Sequence, residues 1–567
     1  MTKKARKSGS TSPIISEARR FAPSALAAAL LALGGMPAFA GPAGENIVGG
    51  DGSVSRPDSN TTNIQQNSQR LAVEWDSFNV KQNQTVNFHQ PSSSAFVLNQ
   101  ILDANASVIR GQINANGNVV LVNPNGLYFG DTATLNVGSL IASGHSLSVD
   151  DFMDGYLKFQ REQDKNGRVV NHGTINAATG GSVTLLGSSV ENSGEIYAQA
   201  GRINLAVGER ITVDFDGDGL MRFAVDKELL DKVEGLDAAI ANSGTLEANG
   251  GSIVMDGRVA QDIFSQVVNN EGIVKAGRID NSGGEIRLVG SGGSDSSVVN
   301  TGQIDASAQD ASSNGGQITL EAKDSTLLVS DESQLDASSE NQQGGQLHLL
   351  GENIGLSGTA LVDASGASGG GEILIGGDYQ GKNPDIPNAD KVVVTSGVNL
   401  NADATDNGDG GRIITWADDW TRFSGTLSAR GGENGGDGGF AEVSGKNNLA
   451  YSGNADLRAP EGKTGTLLLD PRDINIVATA TGADDGELTD DDQINFGDGA
   501  TATTDFTIAA TTINNQTADV ILQATQDIIQ EDVAGAEINI SNAGTGITLE
   551  AGRHITLHRG ITTNDGQ

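Results

Sequence analysis

The stretch Lys391–Asp419, KVVVTSGVNLNADATDNGDGGRIITWADD, holds three short strands and two turns. VVVTSG, VNLNADA and RIITWAD each alternate apolar and polar side chains with a period of two, the pattern of a strand with one buried face. Between them sit Gly, Asn and Asp, which tolerate left-handed backbone and bond their own turns. The next segment repeats the scheme as WTRFSG, TLSARG and FAEVSG. Three strands per repeat, separated by turns of variable length, describe an all-β chain wound as a right-handed parallel β-helix, a solenoid in which each repeat is one coil.

The same unit recurs upstream. An apolar residue followed by x-Ala appears at Ile175-Asn176-Ala177, Leu246-Glu247-Ala248, Ile304-Asp305-Ala306, Leu335-Asp336-Ala337 and Val362-Asp363-Ala364. After a polar turn, a second strand starts beside a glycine, as at Gly201-Arg202-Ile203-Asn204-Leu205 and Gly345-Gln346-Leu347-His348-Leu349. Gly is 77 of 567 residues, Pro only 11, and aromatic residues 4%. Such a composition suits a narrow bore filled by small aliphatic side chains, from which bulky rings are expected to be excluded. About 480 residues at roughly 25 per coil, stacked ~4.8 Å apart, give a rod on the order of 90 Å long. A hairpin is expected to protrude around Asp214–Gly235, with one short helix from Asp226 to Glu234.

The formal net charge is −37, and the first forty residues carry six basic groups against one acid. The acidic remainder repels phosphate backbones, so no nucleic-acid partner is expected. Basic residues precede an apolar run from Ala25 to Leu33, and a small-residue site follows at Ala38-Phe39-Ala40. That is the layout of a secretory signal cleaved before Gly41. Cysteine is absent, which matters for a chain passing through an oxidising compartment. The organisation read from these features is a signal peptide over 1–40, an N-terminal domain over 41–290, regular β-helix repeats over 291–480 and further repeats over 481–567. The strand pattern runs almost to Gln567 without a polar cap, and the chain is expected to be part of a longer protein.

Segments within Asn46–Ser143 carry a resemblance: SQRLAVEWDSFNV, VNFHQP, VLNQILDANASVIRGQINANGNVVLVNPNGLYFG and LNVGSLIAS. This region resembles the secretion domain of two-partner secretion exoproteins, the filamentous-haemagglutinin N-terminal domain. LIGGDYQG, GGRIITWADDW, GGFAEVSGKNNL and GTLLLDPRDINI, between Leu374 and Ile476, are similar to the region that follows in the branch of high-molecular-weight adhesins. The NPNG motif is Asn123-Pro124-Asn125-Gly126, followed by Leu127 where many relatives have Ile, and the NPNL motif of the haemagglutinin branch is missing. The resemblance implies export by the Sec machinery and recognition by an outer-membrane transporter barrel with POTRA domains. Threading to the bacterial cell surface or medium follows, and folding there. It implies no enzyme and no cofactor, and a surface adhesin or biofilm role toward a host-cell or matrix receptor. Haemolysins, contact-dependent toxins and haem-acquisition exoproteins share the same secretion domain and stand as the alternative; a polysaccharide lyase is a third reading.

Asn123, Pro124, Asn125 and Gly126 read first as a tight turn, because Pro fixes φ and Asn-Gly takes left-handed geometry readily, and secondly as a transporter contact. Asp214, Asp216 and Asp218, followed by Gly219, begin a calcium-loop pattern, but its twelfth position is Val225, which lacks the bidentate carboxylate, so a hairpin tip is the expected role. The acidic run from Asp484 to Asp492 reads as a solvated loop. Gly366–Gly370 matches a nucleophile elbow formally, without the strand-to-helix context it needs. The six histidines are scattered and form no metal-ligand spacing.

Overall fold

The computed structural model describes residues 41–479 and 506–564, apart from 216–219, 232, 234 and 262. Runs such as Asn118–Val122 (NVVLV), β-branched and buried throughout, extend the chain and stack on the equivalent run of the next coil. The result is a parallel β-helix with three ladders. The first contains sixteen strands, from Arg70–Trp75 to Ile547–Ala551, paired in parallel between successive coils. The second runs from Ser107–Ile109 to Asn448–Tyr451. The third is a 15-stranded sheet of mostly three-residue strands, such as Glu195–Tyr197 and Gln303–Asp305, whose middle residue alone points inward. Sixteen coils at ~4.8 Å give a rod of roughly 70 Å. It is shorter than the sequence suggested because insertions lengthen several coils.

RIITWAD and WTRF, read as strands of successive coils, are one strand, Arg412–Phe423, that turns the corner between the first two ladders without a break. Gln317–Val329 and Gln346–Leu356 do the same, so the first two ladders merge into one 26-stranded sheet. At the N-terminal end Asn46–Gly49 lies antiparallel on Arg70–Trp75, and Gly52–Ser55 lies antiparallel on Thr61–Gln66. These two strands cap the first coil and cover an edge that would otherwise template further pairing.

One hydrophobic cluster runs along the bore from Ile64 to Ile540. It is mainly Val, Ile, Leu and Ala, but the expected exclusion of rings does not hold. Trp75 and Phe78 meet edge to face at 5.5 Å near the capped end, and Phe423 stacks on Tyr451 of the next coil at 5.8 Å. Phe423 and Tyr451 are register partners on adjacent coils, so the two flat rings share the height between them.

A second core lies outside the rod. Strand Leu157–Gln160 and the hairpin Arg210–Phe215 / Met221–Lys227 form a three-stranded antiparallel sheet. Phe152, Phe159, Ile211 and Met221 are packed against outward-facing Leu98, Val120, Ile141 and Leu186 of the first ladder. The protruding hairpin is therefore present, whereas the described residues of 226–234 form no helix. Asp226 and Lys227 finish the hairpin strand, and Leu229 returns to the rod to bridge Val259. The helix forms instead at Val149–Asp154. There Ser148 accepts from the Asp151 N–H as N-cap, Asp150 and Asp151 sit in the first turn, and Gly155 takes φ 96° as C-cap.

Candidate functional site

Asn123–Gly126 is the corner between Asn118–Val122 of the first ladder and Leu127–Phe129 of the second. The Gly126 N–H donates to the Asn123 carbonyl at 2.8 Å, and the Asn125 N–H donates to Asn123 Oδ1 at 2.9 Å. With Asn first, Pro second, Gly fourth and Asn125 at negative φ, this is a type I turn closed by an Asx bond. Asn123 Nδ2 donates to the Asn105 carbonyl at 3.1 Å and to Ser107 Oγ at 3.0 Å. Asn125 Nδ2 donates to the Asp103 carbonyl at 2.7 Å, and its Oδ1 accepts from Lys165 Nζ at 3.2 Å. The Gly167 N–H reaches the Pro124 carbonyl at 3.0 Å. The turn is thus stitched to the coil before it and the coil after it. Asn123, Pro124 and Gly126 are buried, and only Asn125 is half-exposed.

Beside the turn lies a charged cluster that sequence reading did not assemble, because its members come from three coils. The Tyr128 hydroxyl is 3.2 Å from His172 Nδ1, His172 is 3.5 Å from both Glu191 and Asp131, and Arg168 pairs with Glu191 at 3.2 Å. The Glu191 carboxylate raises the His172 pKa, and His172 in turn holds Glu191 below the usual carboxylate range. The cluster offers charge and hydrogen bonds on the flank of the rod rather than a nucleophile with its base.

The aspartates of the calcium-like pattern separate. Asp214 stands exposed in the hairpin strand opposite Arg222, while Asp216 and Asp218 lie outside the described residues, as does the acidic run from Asp484 to Asp492. Gly366–Gly370 is a coil turn before the strand Glu372–Ile375. The histidines stay apart: His145 is fully buried and its pKa is lowered to about 3 by burial, with Arg161 adding to it, whereas His348 faces Glu372 and His554 faces Asp527.

A second structural feature was readable and missed. Asn171, Asn192, Asn242, Asn270 and Asn300 sit on successive coils at the end of the second ladder, each at most 1% exposed. Each Nδ2 donates to the Oδ1 of the next Asn at 2.7–2.8 Å, and Asn300 ends the chain on Ser333 Oγ at 2.6 Å. The signal is an N-x-G repeat, NHG, NSG, NSG, NEG and NTG, whose Gly carbonyl takes the second N–H of each amide. A half-buried counterpart on the third ladder joins Asn63, Asn87, Asn114, Asn136 and Asn176 at 3.0–3.2 Å.

Residues 43–306 match the TPS secretion domain family. Two heme/hemopexin-binding proteins from Haemophilus influenzae are 29% identical to this chain over 255 residues and 24% over 269. Each alignment covers 44% of this chain, which spans about a quarter of the length of those curated relatives, 27% and 28%. The crystal structure of the HMW1 secretion domain from Haemophilus influenzae matches with a TM-score of 0.56 at 26% identity, over 74% of this chain and 99% of that one. A parallel β-helix matched over this span by the family and by a solved relative carries a TPS secretion domain at residues 43–306.

Proposed function

We propose that residues 41–290 address this chain to an outer-membrane barrel with POTRA domains after export by Sec. The chain crosses that barrel unfolded and winds into its rod outside, and the repeats of 291–480 and 481–567 serve adhesion or biofilm formation at the cell surface. The protein acts by binding, not by catalysis. The observation that carries the reading is the order of the coils. After the N-terminal cap, nearly every rod strand pairs with the coil just before it in the chain, so folding can proceed from the first residues to emerge. Each added coil buries aliphatic surface at roughly 25 cal/mol per Å2 and opposes back-sliding, which supplies direction where no nucleotide is available. The NPNG groups are consumed inside the folded rod, so a transporter that reads them meets them before the coil closes.

Asn123→Ala and Asn125→Ala test this in cells carrying the cognate transporter. Asn123→Ala removes three hydrogen bonds of a buried side chain and is expected to cost about 2–4 kcal/mol in the rod and to lower the secreted fraction sharply. Asn125→Ala is expected to fold almost normally and still accumulate in the periplasm. Export of both variants at the native level would remove the address role.

The names of the curated relatives favour a second reading for the cargo, haem or hemopexin binding. Titration of the secreted chain with haem separates the two. A saturable Soret shift selects haem acquisition, and binding to cell or matrix surfaces without it selects adhesion.

A further inference from the structure

After the strand Glu372–Ile375 the chain leaves the coil and returns only at Ala389–Val394. The excursion Gly376–Asn388 lies as a strap over the outward-facing Leu374, Ile414 and Trp416, with Ile386 completing that small apolar cluster. Gly381 is pressed against the indole so closely that a Cβ there would stand 2.4 Å from Trp416 Nε1. The strap lies along the rod and is held by coils much later in the chain. The Gln380 N–H donates to the Glu442 carboxylate at 3.2 Å, and its Nε2 donates to Asp470 at 3.3 Å and to Gln523 at 2.9 Å, over separations of 62, 90 and 143 residues. Asp378 anchors the near end on Arg412. An open pocket of about 750 Å3 lies beside the strap, lined among others by Trp416, Asp470 and Glu550.

The charges facing this strap do not balance. Arg412 is already shared by Asp378 and by Glu372, which also meets His348, and Lys382 caps Gln380 Oε1 at 2.5 Å. Lys446 lines the same pocket but stands 3.9 Å from Asp418, with which it pairs. That leaves Glu442, fully buried, and Asp470, with Glu550 close by, in no ion pair among the described residues. Glu442 keeps only the Gln380 N–H and the Ser444 hydroxyl as donors.

We propose that the strap is a proton-operated clasp: with Glu442 and Asp470 protonated it lies closed over Leu374, Ile414 and Trp416, and loss of those protons releases it and uncovers the flank of the rod beside the pocket. Burial, the largest cause, outweighs the Ser444 and Gln380 donors and, with Asp470, pushes the Glu442 carboxyl up to about 7; burial, with Glu550, likewise outweighs Lys382 and Gln380 and pushes Asp470 up to about 6. Because the closed form holds these protons more tightly than the open form, the clasp is strongest below pH 4.5 and weakens as pH rises through 6 to 7.

Hydrogen exchange of the strap amides in the full chain, corrected for the intrinsic pH dependence of exchange, reads the opening directly. From the Glu442 displacement alone, the strap is expected to be about tenfold more open at pH 8 than at pH 6. Glu442→Gln, which keeps an acceptor for the Gln380 N–H, is expected to lose most of that slope, and Asp470→Asn part of it. Exchange of the adjoining strand Ala389–Val394 should stay unchanged in each variant, which verifies the coil itself. A strap whose corrected exchange does not vary with pH, or a Glu442→Gln variant with the native slope, overturns the proposal.

Discussion

Gly201→Ala is expected to destabilise the secretion domain by about 3 kcal/mol or more, at the top of the range for overpacking, because the clash is with backbone. Gly201 stands on a column of one glycine per coil, with Gly138 and Gly181 below it and Gly251 above. A Cβ on Gly201 would lie 1.8 Å from the Gly181 carbonyl oxygen, and one on Gly251 would lie 1.9 Å from that of Gly201. No side chain can rotate away, since both atoms are fixed by the hydrogen bonds that space the coils. Gly180 provides the contrast. It has φ +76° with nothing within 4 Å of its Cβ position, so Gly180→Ala meets backbone strain and no clash. It is expected to cost only about 1–2 kcal/mol. Urea unfolding of the two variants separates the causes, and equal midpoints would show that the column does not set the coil spacing.

Asn242→Leu is expected to cost about 2–6 kcal/mol. Leu leaves one donor of Asn192 and the Oδ1 of Asn270 unpaired in a site closed to water, and each buried orphan is worth about 1–3 kcal/mol. Loss of the amide at the exposed member of the third-ladder chain, in Asn136→Leu, is expected to change stability by less than about 1 kcal/mol, because water replaces the lost partners. If the two substitutions cost the same, the buried ladder is not what fixes the register between coils. A slipped register would point every side chain of a strand the wrong way, so this amide chain does more than satisfy its own groups.

Several parts of this structure are written in short windows. VVVTSG, VNLNADA and RIITWAD are short apolar runs bounded by Gly, Asn and Asp, and the turn chemistry of Asn123–Gly126 is carried by its own four residues, so strand, turn and coil follow locally. The cap of Val149–Asp154 was equally legible, since Ser148 and Gly155 bracket it, yet the acidic stretch at 226–234 drew the helix assignment. Hairpin pairing and the return of Leu229 to Val259 prevailed there. The Asn ladder could have been found from the spacing of N-x-G, but only by asking which residues share a height on different coils.

What sequence alone determined is therefore the coil: an all-β solenoid, its turns, its aliphatic bore, and by resemblance its TPS secretion domain. What tertiary structure decided is everything that runs along the rod. The Tyr128–His172–Glu191 cluster, the glycine column and the strap reaching Asp470 and Gln523 join residues tens to more than a hundred positions apart. The physical reason is that alternation and turn propensity act over a few residues, whereas the neighbour above or below is set by the length of each intervening coil. Those lengths vary with every insertion, so contact between coils becomes definite only once the rod is wound.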